Sequence, residues 1–152
     1  MGAIVSTFSL AGKSMFCLIR HAGYHSRTGS ITPQGSEEAE RLASKLHAKN
    51  QNWKQVRTSP TTRTKETALI IGKALNIPVE VDERLSVDGN VVDLLPPTEP
   101  RDIIFVSHLP VITKMLRAWS TQFKQDEPPL ADVTTGYLID PEQEEIRPVT
   151  AN

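Results

Sequence analysis

The chain has one cysteine in 152 residues, Cys17. No disulfide can form within it, and a reducing, cytoplasmic compartment is the expectation. It also has no excess of charge. Its 17 basic and 18 acidic residues give a net charge of −1, without the polyanion footprint of a nucleic-acid binder, so any phosphate recognition must be local. No apolar run approaches the length of a membrane span, and no membrane partner is expected. Clustered carboxylates and His/Cys pairs at metal-ligand spacing are missing too, so neither a metal nor another cofactor is expected. There is no internal repeat and no low-complexity tract.

Residues 1–14 are mildly apolar and lack the charged start and long greasy centre of a secretory signal. Met1, Gly2 and Ser6 satisfy the minimal myristoylation pattern, a short pattern that chance often meets. This stretch is read as an N-terminal extension of unassigned role. Residues 15–152 are read as one domain, long enough to bury a core and too short for two, and expected to act as a monomer.

Within that domain, strand-like and helix-like segments alternate. Phe16 to Arg20 reads as a strand, followed by a Gly/Ser/Thr-rich loop from Ala22 to Ile31. Thr32 and Pro33 supply a cap and a first-turn proline for a helix whose apolar face is Ala39, Leu42, Ala43 and Leu46. Gln55 to Thr58 reads as a second strand. Ser59-Pro60 repeats the cap signal before a helix with Ala68, Ile71 and Leu75, and Asn76 is its stop. Val79 to Val81 reads as a short strand, 82–100 as irregular, and Ile103 to Val106 as a buried central strand. Pro110 starts a helix with Met115 and Trp119 on its core side. Thr135 to Ile139 and Glu145 to Pro148 read as two late strands around an Asp140-Pro141 turn. The fold class is α/β: a three-layer α/β/α sandwich with a mostly parallel central sheet and helices on both faces.

This order brings polar residues to one place. Ligands of open α/β sheets bind beyond the carboxyl ends of the strands, and Arg20, His21, Ser59 and His108 each follow a strand directly. Arg63 falls in the first turn of a helix, where the backbone N–H groups also favour an anion. A guanidinium grips phosphate oxygens in pairs and stays charged, whereas an imidazole can act as a nucleophile. Among the other candidates, His47 reads as a surface residue. His25, in the loop after the first strand, reads either as a phosphate contact or as a solvated residue, and Arg27 in the same loop as solvated or as a phosphate or partner contact. Ser59 reads as a helix cap before a ligand, and Thr67 as packing or a local hydrogen bond.

The quoted segments resemble the histidine phosphatase superfamily, with its phosphoglycerate-mutase-like fold. The family's Arg-His-Gly/Ala stands as Arg20-His21-Ala22. Its Ser-Pro-x-x-Arg-x-x-x-Thr-Ala runs from Ser59 to Ala68, its late Ser-His is Ser107-His108, and its Leu-Thr-x-x-Gly helix start appears as Ile31-Thr32-Pro33-Gln34-Gly35. The resemblance implies a metal-independent phosphatase. His21 would carry the phosphoryl group, Arg20, Arg63 and His108 would clamp its oxygens, and inorganic phosphate would be the product.

One departure bears on the substrate. Larger members acting on sugar phosphates carry a glutamate general acid two residues after the leucine that follows the third strand. Here Leu85 is followed by Ser86 and Val87. Glu83 and Asp88 lie nearby out of register, and Asp88 is the better substitute. A short chain without that acid or long lid insertions resembles the SixA-type phosphohistidine phosphatases. An imidazole leaving group, with a pKa of about 6.5, can be protonated from solvent near neutral pH, while an alkoxide cannot. The leading expectation is dephosphorylation of phosphohistidine on a signalling or phosphocarrier protein. A small-molecule phosphomonoesterase with Asp88 or Glu83 as acid is the alternative, and a catalytically silent phosphate-binding domain is a lesser one.

Overall fold

The computed structural model describes residues 15–96 and 101–152; the N-terminal extension lies outside them. The strands are β1 (Phe16–Arg20), β2 (Gln55–Thr58), β3 (Val79–Val81), β4 (Ile103–Ser107), β5 (Thr135–Asp140) and β6 (Glu145–Thr150), and the helices are α1 (Pro33–Lys49), α2 (Thr62–Leu75) and α3 (Leu109–Phe123). The six strands form one mixed sheet in the order β3-β2-β4-β1-β5-β6. The first four strands of that order run parallel, and β5 and β6 are antiparallel to their neighbours.

The apolar strands β1 and β4 lie at the centre because helices cover the sheet on both faces. Alternate side chains of β1 therefore enter different cores. Phe16 and Leu18 pack with Phe105, Met115 and Trp119 under α3. Cys17 and Ile19 pack with Leu42, Leu46, Ala68 and Ile71 under α1 and α2. A fully buried Leu such as Leu42 contributes about 1.5–3 kcal/mol by transfer from water. Among the described residues no helix is long and apolar enough to cross a membrane.

Most expected boundaries are observed. The Thr32 hydroxyl accepts from the Gly35 N–H at 2.9 Å and caps α1, and Asn76 closes α2 in the left-handed conformation at φ 56°. β4 and β5 each run one residue further than expected, to Ser107 and Asp140, and α3 starts one residue earlier, at Leu109; two other boundaries differ for physical reasons. The Ser59-Pro60 pair does not cap α2, which starts at Thr62 after Thr61; the Ser59 hydroxyl is instead committed to Thr64 and His108. β6 runs on to Thr150, because Pro148 lies in a strand at the sheet edge, where a missing N–H is tolerated. Two 3₁₀ turns, Glu83–Leu85 and Val91–Asp93, interrupt the stretch expected to be irregular.

The chain order sets up the functional end of the sheet. β4 lies between β1 and β2 although it follows both in sequence, so the carboxyl ends of three strands meet side by side. Arg20 is in register with Ser107, and Thr58 with Val106. Just beyond the strands, His21 N–H donates to Ser107 O at 3.1 Å and Ser59 N–H to Val106 O at 3.2 Å.

Candidate active site

His21 is held by backbone on both sides. Its N–H is tied to β4, and its carbonyl accepts from Thr134 N–H at 3.0 Å. Thr134 makes that bond from φ 51°, a conformation in which a β-branched residue is strained and which its surroundings must maintain. The next residue is fixed from α2: Ala22 N–H donates to the Thr67 hydroxyl at 3.0 Å, and that hydroxyl donates to the Arg63 carbonyl at 2.8 Å. Gly23 O then accepts from Thr32 N–H at 2.9 Å. The close approach of α1 to this turn explains Gly35, since a Cβ there would stand 2.7 Å from Gly23 O.

The imidazole of His21 is 5% exposed, and its Nδ1 lies 2.9 Å from Ala22 O. A carbonyl can only accept, so Nδ1 carries the proton and the Nε2 lone pair is free. Burial lowers the His21 pKa; the Ala22 hydrogen bond opposes this, and the charges of Arg63 and Arg20 reinforce it. At neutral pH the ring is therefore uncharged, as a nucleophile requires.

His108 directly follows β4 and occupies the N-cap position of α3, with its ring centroid 5.6 Å from that of His21. Its Nδ1 lies 3.4 Å from Arg63 Nη2 and its Nε2 lies 2.9 Å from Ser59 Oγ. Since a guanidinium can only donate, the proton sits on Nε2 and points at Ser59. Burial, then the charge of Arg63 and the neighbouring His21, lowers the His108 pKa to about 4.

The two arginines approach from different elements. Arg20 at the end of β1 donates from Nη1 to Ala131 O at 3.0 Å. Arg63 in the first turn of α2 places its guanidinium carbon 4.7 Å from the centre of the Tyr24 ring. The Nε of each arginine is buried and has no hydrogen-bond partner. A buried unpaired donor costs about 1–3 kcal/mol, more when charged, and an oxyanion would satisfy both. Among the described residues no three His, Cys, Asp or Glu side chains are grouped to hold a metal ion.

The structure therefore brings together His21, Arg63, His108 and Ser59, the last through His108 and Thr64 rather than as a helix cap. Arg20 acts electrostatically on His21. His25 and Arg27 are exposed in the loop 24–31. Glu83 and Asp88 are exposed as well, and neither hydrogen-bonds to His21, Arg20, Arg63 or His108. Val87 is 54% exposed. This segment follows Leu85, whose carbonyl accepts from the Ser107 hydroxyl at 2.5 Å. Sequence reasoning missed Tyr24, Ala131 and Thr134. For Tyr24 a signal existed, an aromatic three residues after His21; Ala131 and Thr134 contribute backbone atoms that any residue possesses.

The family model of the histidine phosphatase superfamily (branch 1) matches residues 16–86. No curated protein matches the chain. Among solved structures, the protein histidine phosphatase SixA complexed with tungstate is similar at 21% identity and a TM-score of 0.71, over 90% of this chain and 97% of that one. A protein from Agrobacterium tumefaciens, described as a phosphohistidine phosphatase SixA, is 18% identical with a TM-score of 0.68, over 90% and 95%. A mycobacterial glucosyl-3-phosphoglycerate phosphatase in complex with VO3 is 15% identical with a TM-score of 0.60, over 90% and 97%. At these identities the structural likenesses establish the fold.

Proposed function

We propose that the chain, whose residues 16–86 match the family model of the histidine phosphatase superfamily, is a member of that superfamily and a phosphatase whose covalent intermediate forms on Nε2 of His21, and that its substrate is phosphohistidine on a protein. The observation that carries the mechanism is the pairing of a free, uncharged Nε2 with two buried arginine Nε–H groups that lack partners. Nε2 attacks phosphorus, the P–Nε2 bond forms and the bond to the leaving group breaks. The Nδ1–H bond to Ala22 O supports the positive charge that develops on the ring. Water then attacks the phosphohistidine, the P–N bond breaks, and phosphate leaves with His21 neutral again. Arg20 and Arg63 are the clamps for the non-bridging oxygens, and His108 joins them in the tautomer with its proton on Nδ1, the Ser59 hydroxyl then donating to Nε2; most of the rate comes from this placement. That neighbours of this fold are complexed with tungstate or VO3 supports an oxyanion as the ligand.

The substrate reading rests on the apolar, exposed Val87 where an acid would be needed for an alkoxide, together with the absence of any bond from Glu83 or Asp88 to the site. An imidazole leaving group takes its proton from solvent near neutral pH. The buried thiol of Cys17 suits a reducing compartment, and we read the chain as a cytoplasmic monomer.

The deciding experiment compares phosphate release from a phosphohistidine protein with release from a panel of phosphate esters. It also quenches the reaction to trap an acid-labile, base-stable phosphate on the enzyme. The expected result is a preference for phosphohistidine, with no trapped phosphate and no turnover in His21→Ala. Full activity in His21→Ala would remove the mechanism, and a preference for esters would remove the substrate assignment alone.

A further inference from the structure

Tyr24 has no part in the chemistry above, yet it touches two of the groups that perform it. The guanidinium carbon of Arg63 lies over its ring at 4.7 Å, and the His21 ring meets it edge to face at 5.3 Å with the planes 80° apart. The backbone that carries it is tied down on every side. Tyr24 bridges to Ile31 in antiparallel fashion, and His25 N–H donates to Ser30 O at 2.8 Å. Ile31 N–H donates to the Glu66 carboxylate at 2.8 Å, one turn along α2 from Arg63. The loop is thereby docked on the helix that supplies the arginine. Tyr24 nonetheless stays 39% exposed, so its burial alone does not explain the placement.

The geometry points to Tyr24 as a positioning residue for phosphoryl transfer: its ring fixes the plane of the Arg63 guanidinium and covers the edge of the His21 imidazole. This rests on the proposed phosphate site. A guanidinium whose carbon lies over a ring is held by the ring's face and keeps N–H groups for an anion. The other hydrogen-bonding restraint on it is the long 3.4 Å contact with His108. Without the ring, the arginine would have to surrender rotamer freedom each time an oxyanion bound. The phenolic hydroxyl plays no role in this account, whereas the aromatic face is essential to it.

The test measures the dissociation constant of inorganic phosphate for the full chain, its Tyr24→Phe and Tyr24→Leu variants, and each of these combined with Arg63→Ala. Phenylalanine should bind phosphate within about twofold of wild type. Leucine, which fills space without a quadrupole, should weaken binding by roughly 3- to 30-fold, the worth of a cation–π contact. It should lower kcat/KM at least as much, and cost nothing further once Arg63 is alanine. Should the leucine variant not melt cooperatively, Tyr24→Met makes the same comparison. Equal losses in both arginine backgrounds, or a loss in Tyr24→Phe matching that in Tyr24→Leu, would overturn the assignment. Tight phosphate binding by wild type and Tyr24→Leu alike would overturn it while leaving the phosphatase reading intact. No binding by wild type would overturn both.

Discussion

Replacing Thr67 by valine removes one hydroxyl and almost no volume, and its consequences can be followed through the site. The hydroxyl accepts from Ala22 N–H at 3.0 Å and donates to Arg63 O at 2.8 Å, and Thr67 is fully buried. Valine keeps the branched shape but leaves the Ala22 N–H without an acceptor, a loss worth about 1–3 kcal/mol. In a domain of this size each kilocalorie shifts the melting midpoint by about 2–4 °C. Ala22 also supplies the carbonyl that holds the Nδ1 proton of His21. A nucleophile displaced by about 1 Å loses on the order of a hundredfold in rate, so kcat should fall by at least about tenfold. Urea unfolding at constant m-value and phosphate release measure the two effects separately. Thr67→Ser, which keeps the hydroxyl, should retain most of the activity. A valine variant with wild-type midpoint and rate would refute the reasoning, as would a serine variant that loses as much as valine.

Three further outcomes are expected. Arg63→Ala should weaken oxyanion binding by about 1.5–3 kcal/mol, the worth of a charge-assisted contact, measured by titration with phosphate. Glu83→Gln and Asp88→Asn should each leave phosphohistidine hydrolysis within about tenfold of wild type, because a working general acid is worth roughly a hundredfold or more; a larger loss in Asp88→Asn, with good wild-type turnover of esters, would identify Asp88 as the acid. Because the His108 pKa falls from its ordinary 6.5 to about 4 on folding, the unfolded chain binds the extra proton in that window. This contribution to stability is therefore complete above about pH 6.5 and is lost as the pH falls toward 4, by up to about 1.4 kcal/mol per pH unit. Urea midpoints at pH 7 and 5 should converge in His108→Gln relative to wild type.

The sequence was legible wherever periodicity or a capping residue carried the signal. The full extent of β1 and the ends of α1 and α2 at Thr32 and Asn76 are cases in point. It was also legible where a functional side chain closes a strand, which is why Arg20, His21 and His108 could be named. Ser59 was misread because serine before proline signals a cap in isolation. Only the neighbourhood of β2 and β4 shows that its hydroxyl is committed to His108. The end of α3 at Lys124, in the left-handed conformation at φ 57°, gave no signal, since lysine has no intrinsic preference for that shape and the surrounding fold imposes it. Thr134 and Ala131 were invisible for a different reason: what they offer is an N–H and a carbonyl.

That last point bears on how the site is built. The segment from Arg20 to Ala22 is held by atoms far away in sequence: the Arg20 guanidinium by the Ala131 carbonyl, the His21 backbone by the Ser107 carbonyl and the Thr134 N–H, and the Ala22 N–H by Thr67 on α2. Backbone groups within packed elements cannot relax without disturbing the sheet or a helix, so the donors and the nucleophile are placed before any anion arrives. Electrostatics follow the same plan. Burial lowers the pKa of both imidazoles, the Arg63 charge adds to this for both and the Arg20 charge for His21, which keeps His21 neutral and nucleophilic. A phosphoryl dianion supplies acceptors for the buried arginine Nε–H groups and offsets the two positive charges. In this arrangement the arginine donors stand ready for the oxygens of the transferring phosphoryl group, where charge develops.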